Sequence, residues 1–145
     1  MELQVKLLHP KAQVPTYGTK DAAGADLYAC LEDPVTIKPG QTQFLPTGLA
    51  VAIPAGHVGL VLARSGLACK RGLAPANKVG VIDSDYRGEV LVALHNHSAQ
   101  QQRVEPGDRV AQLVIVPILS PSLRVVDDLS ETERGEGGFG STGRN

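Results

Sequence analysis

Tryptophan is absent from this chain, and its aromatic residues are only three tyrosines and two phenylalanines. Neither sign of charge is in excess: 14 basic and 15 acidic residues are mixed along the sequence and leave a net charge of −1. That balance argues against a nucleic-acid backbone binder, which would show a basic stripe and a high isoelectric point. Long apolar runs are missing too, and none approaches the ~20 residues of a membrane-spanning helix. Met1 to Lys11 alternates apolar and polar side chains instead of forming the basic and apolar regions of a secretion signal. Cysteine is limited to Cys30 and Cys69, with no short metal-type spacing. Such a pair, without a secretion signal, is expected as free buried thiols in a reducing compartment, so the expected location is cytoplasmic. The chain's 145 residues suffice for one domain with a real core.

What is present is alternation punctuated by turns. Leu3, Val5 and Leu7 alternate with polar neighbours and predict a first strand, stopped by His9-Pro10. Asp21 to Ala29 combines small residues with Asp21 and Asp26, a composition suited to close approach of backbone to another strand or a ligand. Val35 and Ile37 precede a Lys38-Pro39-Gly40 turn, Gln41 to Ile53 alternates up to Pro54-Ala55-Gly56, and Val58 to Leu62 predicts another strand. Further on, Glu105 to Asp108 is a turn, Arg109 to Val116 a strand, and Leu123–Val125 a last short strand. Asp127 to Glu133 is polar enough to be an exposed connection. Turn signals at intervals of about 8–12 residues point to a sandwich or barrel.

One segment reads as helical, with Ser65 as cap, Gly66 to Arg71 as its turns and Gly72 closing it. Arg64, Ser65 and Gly66 would then offer a guanidinium, a hydroxyl and free amide N–H groups together, as an anion site requires. A capped helix with a surface arginine is the equal alternative. His95 and His97 fall on one sheet face, and without a third ligand they are expected to face solvent.

The richest stretch runs from Gly80 to Val90. Apolar residues lead into it and Val90 to Leu94 lead out, so it predicts a β-hairpin with a charged mouth. Val81 and Ile82 approach Asp83, a carboxylate at the point where the strand stops, and the scarce aromatic Tyr86 follows three residues later. A proton-accepting acid and a flat ring suit a pocket for a small planar ligand. Ordinary turn chemistry at Asp83, Ser84, Asp85 and Gly88 is the competing reading.

Gln112 stands among apolar neighbours in its strand, where a buried amide needs partners. The end of the sequence carries a literal G-x-G-x-x-G at Gly135, Gly137 and Gly140. A dinucleotide fingerprint needs a helix after it, and only five residues follow Gly140. A frayed terminus would account for the glycines. Arg134, Phe139, Ser141 and Thr142 spaced among them fit a lid, with a guanidinium and hydroxyls for phosphates and a ring to stack on a base.

Five stretches, Asp21–Ala29, Ala63–Leu73, Asn77–Val90, Gly107–Ile115 and Arg134–Gly143, resemble in order and spacing the five motifs of the trimeric deoxyuridine triphosphate nucleotidohydrolase (dUTPase) family, most closely its bacterial form. Asp21-Ala22-Ala23 departs from the Gly-Ser-Ala of many relatives, which touches local packing more than chemistry. The resemblance implies an all-β, distorted jelly-roll (β-clip) barrel with one short helix, organised as a body over 1–133 and a Gly-rich lid over 134–145. It implies a homotrimer with shared active sites, and Mg²⁺-dependent hydrolysis of dUTP to dUMP and pyrophosphate by water attack on the α-phosphorus. It assigns Asp83 to activating that water and Tyr86 to the deoxyribose. Asn77 and the backbone of Gly80, Val81, Ile82 and Asp83 would read uracil, with Leu91 nearby. Arg64, Ser65, Gly66 and Gln112 would hold phosphates, and Asp26 would reach magnesium through water. Arg134, Phe139, Gly140, Ser141 and Thr142 would close over the substrate from another subunit, Phe139 over the base. Related deaminases of dCTP, a binding protein that has lost turnover, and a structural trimeric β-domain are the competing classes.

Overall fold

The computed structural model describes residues 1–140. In chain order its strands are β1 (Gln4–Leu7), β2 (Thr16–Tyr17), β3 (Ala25–Tyr28), β4 (Val35–Ile37), β5 (Thr42–Pro46), β6 (Leu49–Ala52) and β7 (His57–Leu62). The helix α1 (Ser65–Arg71), the single one among the described residues, comes next, then β8 (Leu73–Pro75), β9 (Gly80–Ile82), β10 (Leu91–Asn96), β11 (Gln102–Val104) and β12 (Arg109–Pro117). The largest sheet has the order β2-β3-β12-β7-β9, every pair antiparallel. A second sheet, β5-β10-β8, and two ribbons, β1-β6 and β11-β4, complete a jelly-roll-like fold. The expected all-β architecture with one short helix is present, but among the described residues the strands form open sheets and no closed barrel.

The core lies between these sheets and is aliphatic, as the shortage of rings requires. Leu27, Ile37, Leu45, Leu49, Leu94 and Leu113 are fully buried, each contributing about 1.5–3 kcal/mol of transfer free energy. Buried and less buried positions alternate along β3, β7 and β10, so the period of two in the sequence marks the inward face.

Several expectations need correction. The run from Gln41 to Ile53 is two strands in different sheets, broken at Thr47 and Gly48. Gly48 takes a left-handed φ of 67°, and the buried Thr47 hydroxyl donates to the Val90 carbonyl at 2.6 Å, tying the break to another strand's entry. The segment from Gly80 to Val90 is not a hairpin: β9 pairs with β7, whereas β10 pairs with β5 and β8. The intervening residues cross from one sheet to another. Leu123–Val125 forms no strand, and Leu123 and Val125 are 96% and 99% exposed. Ser65 is the first residue of α1 and not its cap; Arg64 occupies that position without a side-chain capping bond. Cys30 and Cys69 are both free, but Cys30 is only half-buried and Cys69 is exposed on the short helix.

Asn96 is the buried polar residue that the alternation pattern hides. Its Nδ2 donates to the carbonyls of Ile37 and Gln100 at 2.8 and 2.7 Å, while its Oδ1 accepts from the Ser98 amide and hydroxyl at 2.9 and 2.7 Å. It thereby joins β10 to β4 and to the following turn. Asn96→Ala is expected to destabilise the fold by about 2–4 kcal/mol, because it opens a cavity and strands two carbonyls. A denaturant melt showing less than half of this would mean that water repairs the site.

Candidate functional site

Two concave regions hold Asp26, Arg64, Ser65, Asn77, Asp83, Tyr86 and Gln112 of the polar residues singled out in the sequence. The first is a pocket of about 250 Å³ between β9 and β10, lined by Asn77, Gly80, Val81, Ile82, Asp83, Tyr86 and Leu91 among others. The diverging strands open it. Because β9 pairs only with β7 among the described residues, it is an edge strand, and one side of its backbone donors and acceptors faces away from the sheet. Val81 is exposed on this edge while Ile82 is buried in the core. Asp83 stands exposed where β9 ends.

The connection after Asp83 is ordered by short-range bonds. The Tyr86 amide donates to the Asp83 carbonyl at 3.1 Å, and the Tyr86 hydroxyl donates to the Glu89 carbonyl at 2.9 Å. Arg87 Nη1 donates to the Ser84 and Tyr86 carbonyls at 2.7 and 2.9 Å. Gly88 lies directly under the Tyr86 ring: a β-carbon there would fall 2.4 Å from the phenolic oxygen. Glu89, overlooked in the sequence, lines the pocket and accepts from the Gly48 amide at 2.8 Å through Oε1. It fastens the loop to the break between β5 and β6, and no local pattern signals a contact so distant in the chain.

The second region is a groove at the other end of the large sheet, lined by Gly24, Asp26, Arg64, Ser65, Gly66, Arg109 and Gln112 among others. Cross-strand register assembles it. Asp26 of β3 lies opposite Gln112 of β12, which in turn lies opposite Leu62 of β7, and directly opposed residues share a face. Gln112 Nε2 donates to the Ala63 carbonyl at 2.8 Å, and its side chain fills the space where Gly24 lacks one. Arg64 Nε donates to Asp26 Oδ1 at 2.7 Å and Arg109 Nη1 donates to Oδ2 at 3.2 Å. Asp26 is thus bound by two guanidinium groups, and Arg109, unmarked in the sequence, belongs to the groove.

The pocket and the groove lie apart on the chain. β9 runs antiparallel to β7 with Ile82 opposite Gly59, so Asp83 falls near Val58, whereas Arg64 follows the opposite end of β7. The strand between Val58 and Leu62 alone spans ~13 Å.

Elsewhere, Arg134 Nε donates to the Gly137 carbonyl at 2.7 Å, and the ring of Phe139 is wholly exposed. Neither residue lines the pocket or the groove; Gly140 has a left-handed φ of 86°, and Ser141 and Thr142 lie outside the described residues. The rings of His95 and His97 lie 4.4 Å apart. Burial, then the neighbouring His95 and Lys78, push His97 below the ordinary imidazole range. No group of three or more histidine, cysteine or acidic side chains able to hold a metal occurs among the described residues.

An all-β jelly-roll-like domain with a carboxylate-tipped edge-strand pocket and a separate arginine groove has the parts of a protein that handles a nucleoside polyphosphate. Comparison with known proteins makes that class specific. A family model described as dUTPase matches residues 10–143. The chain is 50% identical over 141 residues to a deoxyuridine 5'-triphosphate nucleotidohydrolase of Syntrophotalea carbinolica, covering 97% of this chain and 96% of that protein. It is also 50% identical over 145 residues to the enzyme of that name from Methylibium petroleiphilum, covering 98% and 97%. Among solved structures, the dUTPase of Staphylococcus bacteriophage 80alpha with dUpNHpp superposes with a TM-score of 0.90 at 34% identity, covering 99% of both chains. A mutant dUTPase of phage phi11 of S. aureus, described as revealing coordination of a structural Mg(II) ion, matches with a TM-score of 0.80 at 30% identity, covering 88% of this chain and 98% of that one. The chain belongs to the dUTPase family.

Proposed function

We propose that this protein hydrolyses dUTP to dUMP and pyrophosphate as a homotrimer whose active sites are completed between subunits. The observation that carries the reading is the separation of an acid-tipped pocket from an arginine groove on one continuous sheet. A general base and the cations holding the same triphosphate must act within a few ångströms of each other, so pocket and groove serve one substrate when they come from different copies. The segment after β12 supports such an assembly. Leu119, Leu123, Val125 and Leu129 are 87–99% exposed, an apolar arm that a neighbouring copy would cover.

In this reading the uracil enters the pocket with its edge against β9. The base presents acceptor, donor and acceptor in a row, and an edge strand offers complementary amide and carbonyl groups; Asn77 at the pocket mouth adds a side-chain amide. Methyl-bearing thymine is rejected because close backbone leaves no room for the extra carbon. Tyr86 packs against the deoxyribose where a 2′-hydroxyl would otherwise sit. Asp83 holds a water by accepting its hydrogen bond and takes the proton as the water attacks the α-phosphorus; the bond to the bridging oxygen breaks, and pyrophosphate leaves. Arg64, Ser65, Gly66 and Gln112 bind the phosphate chain, and a lid made of residues 134–145 excludes water, with Arg134 on phosphate and Phe139 over the base.

Magnesium fits this donor set as a guest of the substrate. Among the described residues the groove has no carboxylate cage, and Mg²⁺ prefers phosphate oxygens and waters; Asp26, the acid that lines the groove, would reach the ion through such a water. When bound, the ion offsets phosphate charge.

Pyrophosphate release with Mg²⁺ from dUTP, run beside dCTP, dTTP and UTP, tests the function. Turnover confined to dUTP is expected, and ammonia from dCTP would move the protein to the deaminases. Gly88 provides a finer test of the sugar contact. Because a methyl group there displaces the Tyr86 ring, Gly88→Ala is expected to cost about tenfold in kcat/KM for dUTP and to narrow the preference over UTP. An unchanged dUTP/UTP ratio would remove the ring's position from sugar selection.

A further inference from the structure

We infer that Arg109 is a second guanidinium for the substrate's β,γ-phosphates and that Asp26 is a positioning residue that sets Arg64 and Arg109 as one fork. The inference rests on the dUTPase reading of the groove and adds a binding residue to it.

The first observation is the geometry of the ion cluster. The Asp26 side chain is only 13% exposed, against 25% for Arg64 and 52% for Arg109. A mostly buried carboxylate between two more exposed guanidinium groups holds both cations with their free donors facing outward. Arg64 spends Nε on Asp26, and its Nη1 lies 3.4 Å from the Arg109 carbonyl. Arg109 spends Nη1 on Asp26. Each guanidinium carries five N–H groups in a planar fork, so both keep donors toward the groove. These fixed donors suit the bidentate recognition of phosphate oxygens.

The second observation is independent of the first and lies in the backbone. β12 carries one extra residue against β3: Ala111 pairs with Leu27, whereas Arg109 pairs with Tyr28. Val110 and Ala111 are accordingly buried in succession, 1% and 0% exposed. Without that bulge, alternation would set Arg109 opposite Ala29, on the inward face shared with Leu27. The bulge turns Arg109 onto the face of Asp26 and Gln112, and redirection of one side chain is a recurrent use of bulges beside active sites. A basic residue merely destined for solvent needs no such device.

The test compares binding of the imido analogue of dUTP with binding of dUMP, which lacks the β- and γ-phosphates, in wild type, Arg109→Gln, Arg109→Lys and Asp26→Asn. Arg109→Gln and Asp26→Asn are each expected to weaken the analogue about tenfold while leaving dUMP affinity little changed. Arg109→Lys is expected to restore part of the loss, because it returns the charge without the fork. The Asp26→Asn loss is expected to persist in EDTA, since the amide offers one acceptor oxygen where two guanidinium groups need partners. Equal losses for dUMP and the analogue would show a merely structural role and overturn the inference. So would unchanged analogue binding in Arg109→Gln, or an Asp26→Asn loss that vanishes in EDTA. A wild type that binds neither nucleotide would instead remove the dUTPase reading beneath it.

Discussion

Asp83→Asn is expected to lower turnover of dUTP by ~10²–10⁴-fold, the usual contribution of a positioned general base, while binding of the imido analogue stays close to wild type. The asparagine keeps the size and a hydrogen-bonding oxygen but cannot take the proton of the attacking water. Asp83 is exposed at the end of an edge strand, and its side chain has no bond to the core among the described residues, so the fold loses nothing. The measurement is single-turnover hydrolysis beside a binding titration. A fall in analogue affinity that accounts for the whole loss of kcat/KM would make Asp83 a binding residue and would return the proton to another acceptor.

Removal of the residues after Glu133 is expected to leave an intact fold with turnover reduced by at least ~10²-fold, as loss of a closing lid misplaces substrate and admits water. The described part of the tail bonds only to itself and to Thr132, through Arg134 to Gly137 and Gly135 to Thr132, so thermal melting should not move. Sedimentation and melting of the truncated protein, followed by kinetics, check both halves. Normal turnover would reduce the tail to a terminus. A lowered melting point would give it a structural role.

Much of the candidate site was legible in the sequence because its residues are concentrated in polar and glycine-rich interruptions of an otherwise aliphatic alternation. Asp83 and Tyr86 stand out where apolar residues stop, and Arg64, Ser65 and Gly66 stand out at the start of the helical segment. Long-range pairing was not legible. The symmetry of apolar residues around Asp83 suggested a hairpin, yet β9 and β10 leave in different sheets, since local alternation fixes faces and says nothing about partners. Arg109 stayed hidden because a bulge changes which face it occupies, and a period of two cannot reveal an inserted residue. Glu89 and Asn96 stayed hidden because their partners, Gly48 and Ile37, lie 41 and 59 residues away. Leu123–Val125 looked like a strand by composition; among the described residues nothing lies beside it for a strand to pair with.

Subunit mixing tests the shared site most directly. Asp83→Asn and Arg64→Ala, each nearly inactive alone, would be denatured together in equal amounts and refolded. If Asp83 of one copy serves the substrate held by Arg64 of another, three quarters of the trimers are mixed and each regains one site in three, so about a quarter of wild-type activity returns. Activity that stays at the level of the separate variants, in a preparation shown to contain mixed trimers, would contradict the shared site and require pocket and groove to meet within one chain.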